Sequence, residues 1–369
     1  MEKKIGIGFV GVGCISGIYL QNITNLFKEI EIIGVCDLIR EKAEKAQAEY
    51  GVHVYNDMYE LFADERVDIV LNITEPNNHY KVTMEALKAG KHVYSEKPLA
   101  TTLEDGIEIC KFASEKGLLV GGAPDTFMGA GIQTARKLID DGAIGKVFGG
   151  NARFLGRGPE TWHPNPAFFY DHGAGPLFDI GPYYVTSLVN LFGRAHSVTA
   201  VCTKAYDERI ATCKPHFGEK IPVNVPTHVN AIIRFDSGAQ ASLSASFDTY
   251  NKDCGVPLEV YGTEGTLYIP DPNTFKGPVK LLRPGQEVME IPLMFGYVEN
   301  SRALGLADMA KALCTGRDYR ACVMQQLHVL EIMCACYTSS DTHKEVILKT
   351  PFERKAPKKY SYMPGILDD

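Results

Sequence analysis

Gly8-Phe9-Val10-Gly11-Val12-Gly13-Cys14-Ile15-Ser16, which opens inside the first apolar stretch of the chain, decides the fold. Read as G-x-G-x-x-S, it places Gly11 at a tight turn and Gly13 where the backbone must approach a pyrophosphate. Cys14 and Ile15 lie on the turn, and Ser16 stands where a third small residue lets helix and strand pack closely. A helix N-terminus just beyond supplies unpaired N–H groups and a positive dipole end. Asp37 follows 24 residues after Gly13, at the end of a second apolar run. A carboxylate there accepts hydrogen bonds from a ribose 2′-hydroxyl and repels a 2′-phosphate. The expected cofactor is therefore NAD rather than NADP, with nearby Arg40 the residue that complicates the choice. A plain helix cap is the other reading of Asp37.

Outward from this turn, the periodicity alternates. Strands are predicted at Ile5–Val10, Glu31–Cys36, Asp68–Ile73, His92–Ser95 and Leu118–Gly121. Between them lie helices at Ser16–Phe27, Ile39–Tyr50 (ending at Gly51), a short one capped by Asp57, one capped by Asn77 and running to Ala89, and Leu103–Lys116. Apolar strands alternating with helices predict an α/β Rossmann domain, a doubly wound parallel sheet over residues 1–123. The pattern changes at Pro124. Residues 124–350 predict an α+β domain with a large, mostly antiparallel open sheet: a helix at Ala130–Asp140, strands at Lys146–Phe154, Ser197–Ala205, His228–Phe235, Gln240–Phe247, Leu258–Tyr261 and Thr266–Ile269, then helices at Ser301–Cys314 and Tyr319–Tyr337. Asp236-Ser237-Gly238 is a hairpin signal. Residues 351–369 read as a surface tail. An open sheet face favours a partner, and a homodimer or homotetramer is expected.

Composition excludes several classes. Net charge is −7 with no dense Lys/Arg cluster, so a nucleic-acid partner is not expected. No apolar run is long enough for a membrane span, and the chain enters a strand directly after Met1-Glu2-Lys3-Lys4, without a signal-like stretch. Ten scattered cysteines without CxxC spacing read as reduced thiols of a cytoplasmic protein, and no metal site is expected.

Two strand ends carry polar clusters, Thr74-Glu75-Pro76-Asn77-Asn78-His79 and Ser95-Glu96-Lys97-Pro98. Ligands of doubly wound sheets bind outside the carboxyl ends of strands, so Thr74, Pro76, Asn77, His79, Glu96 and Lys97 are candidates for contact with a nicotinamide and its substrate. His79 reads equally well as a first-turn helix residue. Asp125 and Thr126 sit where the chain crosses between domains, and Asn300 and Arg302 precede a predicted helix. Each is a substrate candidate and each a possible cap. The long, glycine- and aromatic-rich segment 156–175, with Trp162, His163 and His172, reads as an active-site loop, or as a surface excursion pinned by its aromatics.

With the glycine turn, Asp37, Thr74–His79 and above all Glu96-Lys97-Pro98, the chain resembles the Gfo/Idh/MocA oxidoreductases along nearly its whole length. The resemblance implies NAD(P)-dependent oxidation of a CH–OH group, with Lys97 assisting proton transfer at the substrate hydroxyl and a Lys97–Pro98 bond that is often cis. That family's second signature, G-G-x-x-x-D-x-G-x-H-x-x-D, is met here by Gly173-Ala174-Gly175-Pro176-Leu177-Phe178-Asp179-Ile180-Gly181-Pro182-Tyr183-Tyr184-Val185-Thr186. Asp179 matches; Tyr183 stands in place of the histidine. By this resemblance Lys97 and Tyr183 form the proton-transfer pair and Asp179 binds a substrate hydroxyl. His163 or His172 is the alternative for the missing histidine, while Trp162 either stacks on substrate or anchors its loop. Burial and a neighbouring nicotinium are expected to lower the Lys97 pKa, and a charged Lys97 would instead hydrogen-bond a developing alkoxide. The expected function is oxidation of a secondary hydroxyl of a sugar, cyclitol or glycoside, with C3 of a glucoside a candidate. The rivals are an NAD-dependent glycosidase of the same family and a non-catalytic NAD-binding regulator.

Overall fold

The computed structural model describes residues 4–250, 255–359, 363–365 and 367; the reading of Met1–Lys3 and part of the 351–369 segment lie outside these. The first unit runs β1 (Ile5–Val10), α1 (Ser16–Asn25), β2 (Ile30–Cys36), α2 (Arg40–Tyr50), β3 (His53–Val54), α3 (Met58–Ala63), β4 (Ile69–Asn72), α4 (Pro76–Lys88), β5 (His92–Ser95), α5 (Leu103–Lys116) and β6 (Val120–Gly122). Its six strands are parallel in the order β3-β2-β1-β4-β5-β6. Every residue of β1 and β4 is buried, because helices cover both faces. The register aligns Val10, Asn72, Ser95 and Gly122 at one edge, so the polar clusters after β4 and β5 leave the sheet side by side. Asp57 caps α3 through the Glu60 N–H, and Gly51 ends α2 in the left-handed conformation. The expected Asn77 cap is replaced: α4 starts one residue earlier, with Glu75 as its cap residue and Pro76 in the first turn. Proline tolerates that position because its missing N–H would have no partner there.

The second unit contains α6 (Ala130–Asp140), β7 (Val147–Leu155), α7 (Gly175–Asp179), α8 (Gly181–Phe192), β8 (Ala195–Thr203), β9 (Glu208–Ile210), β10 (Lys220–Pro222), β11 (His228–Phe235), β12 (Gln240–Ser246), β13 (Leu258–Gly262), β14 (Gly265–Ile269), β15 (Val279–Leu282), β16 (Met289–Ile291), α9 (Leu304–Thr315), α10 (Val323–Thr342) and β17 (Val346–Ile347). Nine strands form one sheet, β16-β15-β14-β13-β7-β12-β11-β8-β17, antiparallel except where β12 runs parallel to β7. β9 and β10 make a separate ribbon. In β11, buried Val229, Ala231, Ile233 and Phe235 alternate with outward Asn230, Ile232 and Arg234.

Helices α8 and α10 fill the space behind this sheet. All twelve residues of α8 are buried. α10 packs on β8 and on α5 of the first unit, and Gly121 bridges to Cys322, so one hydrophobic core runs through both units. The 351–369 segment is not a loose surface tail where it is described. The Phe352 ring stacks on buried His328 at 5.2 Å, Arg354 donates to the Asn190 carbonyl, and the Lys358 N–H donates to Gln133 Oε1 at 2.9 Å. Its lysines and prolines disguise these few anchoring contacts.

Candidate active site

The glycine turn has the geometry that a dinucleotide needs. Gly11 adopts φ +93°, and a Cβ there would lie 2.7 Å from the Ile73 carbonyl oxygen, so no side chain fits. Gly13 is different: a Cβ would meet nothing within 4 Å. The space it leaves is open, in front of the first turn of α1, which has N–H groups without intrahelical acceptors. Cys14 is exposed and Ile15 half-buried on the rim of this cradle. Asp37 turns back to the same place. Its Oδ2 accepts from the Val12 N–H at 2.6 Å, its Oδ1 from the Ile39 N–H at 2.8 Å, and the carboxylate keeps further lone pairs for a ribose. Leu38 is fully exposed and Ile39 half-exposed beside it, an apolar shelf suited to an adenine ring. These residues fit NAD. Arg40 points elsewhere, donating to Glu44 and Asn56 on the surface.

The two polar strand ends divide their work. After β4, Thr74 Oγ1 donates to Asn72 Oδ1, Pro76 starts α4, and exposed Asn77 reaches the neighbourhood of Gly173 in the other unit. His79 is buried, with Nδ1 2.7 Å from the Pro98 carbonyl and Nε2 2.9 Å from the Thr74 carbonyl. It braces the two turns against each other and has no ring nitrogen left for a ligand. After β5, Glu96 is buried and faces inward, accepting from Tyr19 Oη of α1 at 2.7 Å and from the Lys97 N–H. The Lys97–Pro98 bond is cis.

Lys97 crosses to the second unit. Its Nζ donates to Asp179 Oδ1 at 2.6 Å and to the Asp179 carbonyl at 2.7 Å, and it stands 5.5 Å from the Tyr183 ring centroid. The segment around Asp179 and Tyr183 forms two helices. α7 ends on Asp179, α8 starts at Gly181, and Ile180 between them accepts from the Tyr183 N–H. Pro176 and Pro182 each open one of these helices, and Pro182 cannot donate into a continuous helix.

The charge on Lys97 differs from the expectation. Burial pulls its pKa down, but the Asp179 carboxylate, Tyr183 and Glu96 push it up further, and the net position lies well above that of a free lysine. Lys97 is an ammonium at neutral pH. The lowering expected from burial is opposed here by a carboxylate in direct contact, an arrangement that fits the alternative of a charged Lys97 hydrogen-bonding a developing alkoxide. For Tyr183 burial raises the phenol pKa, Lys97 and Arg302 lower it, Glu96 raises it, and the net direction is up. Arg302, just before α9, donates to Tyr183 Oη at 3.4 Å and to Asn273 Oδ1 at 2.7 Å.

Other candidates lie apart from this cluster. Asp125 is buried behind it and accepts from the Gly305 N–H at 3.0 Å; burial pushes its pKa up to about 6. Trp162 and His163 pack edge to face on one another and near Phe169, and Cys213 Sγ contacts the His163 carbonyl. Trp162 is otherwise exposed, so these contacts favour the anchoring reading of the 156–175 segment. His172 is exposed beside Asp171. Among the described residues no cluster of His, Cys, Asp or Glu could hold a metal ion. Sequence reasoning missed Tyr19, Asn22 and Asn273. The first two were visible only as polar residues on the inward stripe of α1.

Residues 5–122 match the oxidoreductase family with the NAD-binding Rossmann fold, and residues 132–268 match the GFO/IDH/MocA C-terminal domain. The chain belongs to the Gfo/Idh/MocA oxidoreductase family. Among curated members of that family, the chain is 27% identical over 243 residues to levoglucosan dehydrogenase of Pseudarthrobacter phenanthrenivorans, covering 62% of each chain. It is 33% identical over 144 residues to inositol 2-dehydrogenase/D-chiro-inositol 3-dehydrogenase of Lactiplantibacillus plantarum, covering 38% of this chain and 41% of the relative. The chain thus spans less than two thirds of the length of these curated relatives. A solved Gfo/Idh/MocA-like fold, levoglucosan dehydrogenase in complex with NADH and L-sorbose, superposes with TM-score 0.81 at 20% identity, over 95% of this chain and 99% of that one.

Proposed function

We propose that this protein is an NAD-dependent dehydrogenase oxidising a secondary hydroxyl of a sugar, cyclitol or glycoside, with C3 of a glucoside among the candidate positions. The observation that carries the reading is the Lys97–Asp179 contact of 2.6 Å across the two units, with Tyr183 beside it. The levoglucosan and inositol dehydrogenases among its relatives support the substrate class. Gly11, Gly13 and Asp37 would hold NAD, which when bound would supply the hydride acceptor for the carbinol carbon.

The chain's own residues then handle the hydroxyl. Two of the three Lys97 ammonium protons are used on Asp179. The third is available to the substrate oxygen, where it stabilises the charge that develops as the O–H bond breaks. The hydroxyl proton passes to Tyr183 Oη in its phenolate form, whose own proton has left to solvent beforehand and leaves there again after turnover. Asp179 keeps Lys97 charged and aimed, and its remaining lone pairs accept from a neighbouring substrate hydroxyl. A cytoplasmic homodimer or homotetramer completes the reading; outward Val201 and Ile232 on neighbouring strands of the open sheet are exposed apolar groups for such a contact. The test is a panel of sugars, cyclitols and glycosides assayed for NADH formation with product analysis. Absence of net NADH together with aglycone release would replace this reading by the glycosidase one, and NAD binding without any turnover by the regulatory one.

A further inference from the structure

Two cations lie near Tyr183, and only one has a role in the mechanism above. Lys97 Nζ lies 5.5 Å from its ring centroid, and the Arg302 guanidinium lies 5.8 Å from it with Nη2 3.4 Å from Oη. Arg302 is placed there by unusual backbone. It follows Asn300 in a loop bounded by two non-glycine residues with positive φ, Tyr297 (+66°) and Ala303 (+82°), both fully buried. Such conformations persist only where surrounding contacts enforce them, and they concentrate at functional sites. The enforcing contact comes from the cofactor-binding unit. Asn22 of α1, itself buried, donates through Nδ2 to both the Asn300 and the Arg302 carbonyls at 2.8 Å. The guanidinium acceptors are all neutral: Asn300 Oδ1, Asn273 Oδ1 and Tyr183 Oη. Arg302 is thus not consumed by an ion pair among the described residues, and its charge acts on the phenol.

We propose that Arg302 is a positioning residue for the reaction proposed above: it holds the Tyr183 hydroxyl in place by donating to it and stabilises its ionised form. The use made of the phenolate rests on the dehydrogenase reading; the effect of Arg302 on the phenol does not. The phenol needs such help. Burial opposes its ionisation, and so does Glu96. Tyr94 also neighbours it from β5, and Asp179 precedes it by one turn. Lys97 is the other cation acting strongly on it, and Lys97 is already engaged by Asp179. A phenolate accepting from Arg302 gains a charge-assisted hydrogen bond, and a neutral phenol accepts only weakly.

The experiment compares Arg302→Met, Arg302→Lys and the parent protein by ultraviolet difference titration of tyrosinate, each against its Tyr183→Phe partner to isolate this one phenol. It needs neither substrate nor NAD. Losing a cation within hydrogen-bond reach should move the Tyr183 midpoint up by about one to two pH units, with Arg302→Lys recovering at least half of that. In turnover, the acid limb of kcat/KM should move up by the same amount in Arg302→Met, so that activity is lost about 10- to 100-fold at neutral pH and regained at high pH. A merely structural role would lower kcat at every pH and leave the limb and midpoint in place, and that result would overturn the proposal. A shifted midpoint in a protein that turns over no hydroxyl substrate would keep the proposal and sink the dehydrogenase reading. If Arg302→Met fails to fold, Arg302→Gln and the milder Asn22→Ala, which frees the loop carbonyls, carry the same titration; unmoved midpoints in both would equally refute it.

Discussion

Asp179→Asn tests the electrostatics of the site directly. The variant keeps the size of the side chain and the carbonyl that accepts from Lys97 Nζ at 2.7 Å, but removes the anion 2.6 Å away. Two unit charges about 4 Å apart interact by about 4 kcal/mol at an effective dielectric of about 20, equivalent to about three pKa units. The Lys97 and Asp179 side chains keep 17% and 19% of their surface in water, which trims this to about two units. With Asp179 gone, burial is opposed only by Tyr183 and Glu96, and the Lys97 value falls back toward that of a free lysine. In the parent protein the Lys97 pKa is raised on folding, so its stabilising contribution is complete below about pH 10 and is lost only as pH rises through the folded value. In Asp179→Asn the folded value lies close to the unfolded one, so the decline in stability that the parent shows as pH rises from about 10 to about 11 should shrink or vanish. At neutral pH the variant should lose about 3 kcal/mol, the cost of leaving a buried cation without its partner. Denaturant unfolding across that pH range, alongside kcat/KM, is the assay. The alkaline limb of kcat/KM should move down toward about pH 10. Parallel stability slopes in variant and parent would refute the claim that Asp179 is what keeps Lys97 charged.

Lys97→Ala should bind NAD within about threefold of the parent by calorimetry and lose turnover by about 10²- to 10³-fold, the usual cost of one donor to a developing oxyanion; near-parental kcat would remove Lys97 from the mechanism. Asp37→Ala should shrink the preference for NAD over NADP by about tenfold or more, because the group that accepts from the 2′-hydroxyl and repels a 2′-phosphate is gone; unchanged discrimination would leave Asp37 only its contacts to Val12 and Ile39. Asp125 has its pKa pushed up to about 6 by burial, so the parent should lose stability as pH rises from about 4 to about 6. Asp125→Asn keeps an oxygen for Gly305 and should abolish that slope, gaining about 2 kcal/mol at neutral pH; an unchanged melt profile in both pH regimes would contradict it.

What could be read in advance follows a physical divide. The parallel sheet was legible because its central strands β1 and β4 are buried on both faces, and because Gly51 and Asp57 mark a helix end and a helix start where caps form. The short strands β3, β9, β10, β15, β16 and β17 were not. Two- to four-residue pairings carry too few side chains to show a period, and their existence depends on what lies beside them. α10 is buried nearly all round, so its start was placed from an apolar run rather than from a stripe, and it begins at Val323 instead of Tyr319. Within the site, residue types were legible and their electrostatic state was not. Lys97 could be picked out from Glu96-Lys97-Pro98, but its charge depends on a carboxylate 82 residues away. His79 stood in a polar cluster and reads as a ligand until its two nitrogens are seen to face Pro98 and Thr74.

The contacts that hold the candidate site together run through buried or part-buried polar groups, and several join the cofactor-binding unit to the second unit. Tyr19 of α1 reaches Glu96 after β5, and Asn22 of the same helix reaches the Arg302 loop. Lys97 reaches Asp179, and Asp125 reaches α9 at Gly305. α1 also carries the N-terminal groups in front of the glycine cradle. A displacement of this helix is therefore felt at Glu96 and at Arg302 together, both of which act on the Tyr183 phenol. Buried polar contacts tolerate little stretching before they fail, so the glycine turn and the proton-transfer groups form one rigid frame. On that physical ground the first turn of α1 and the loop before α9, far apart in sequence, must be considered as parts of a single site.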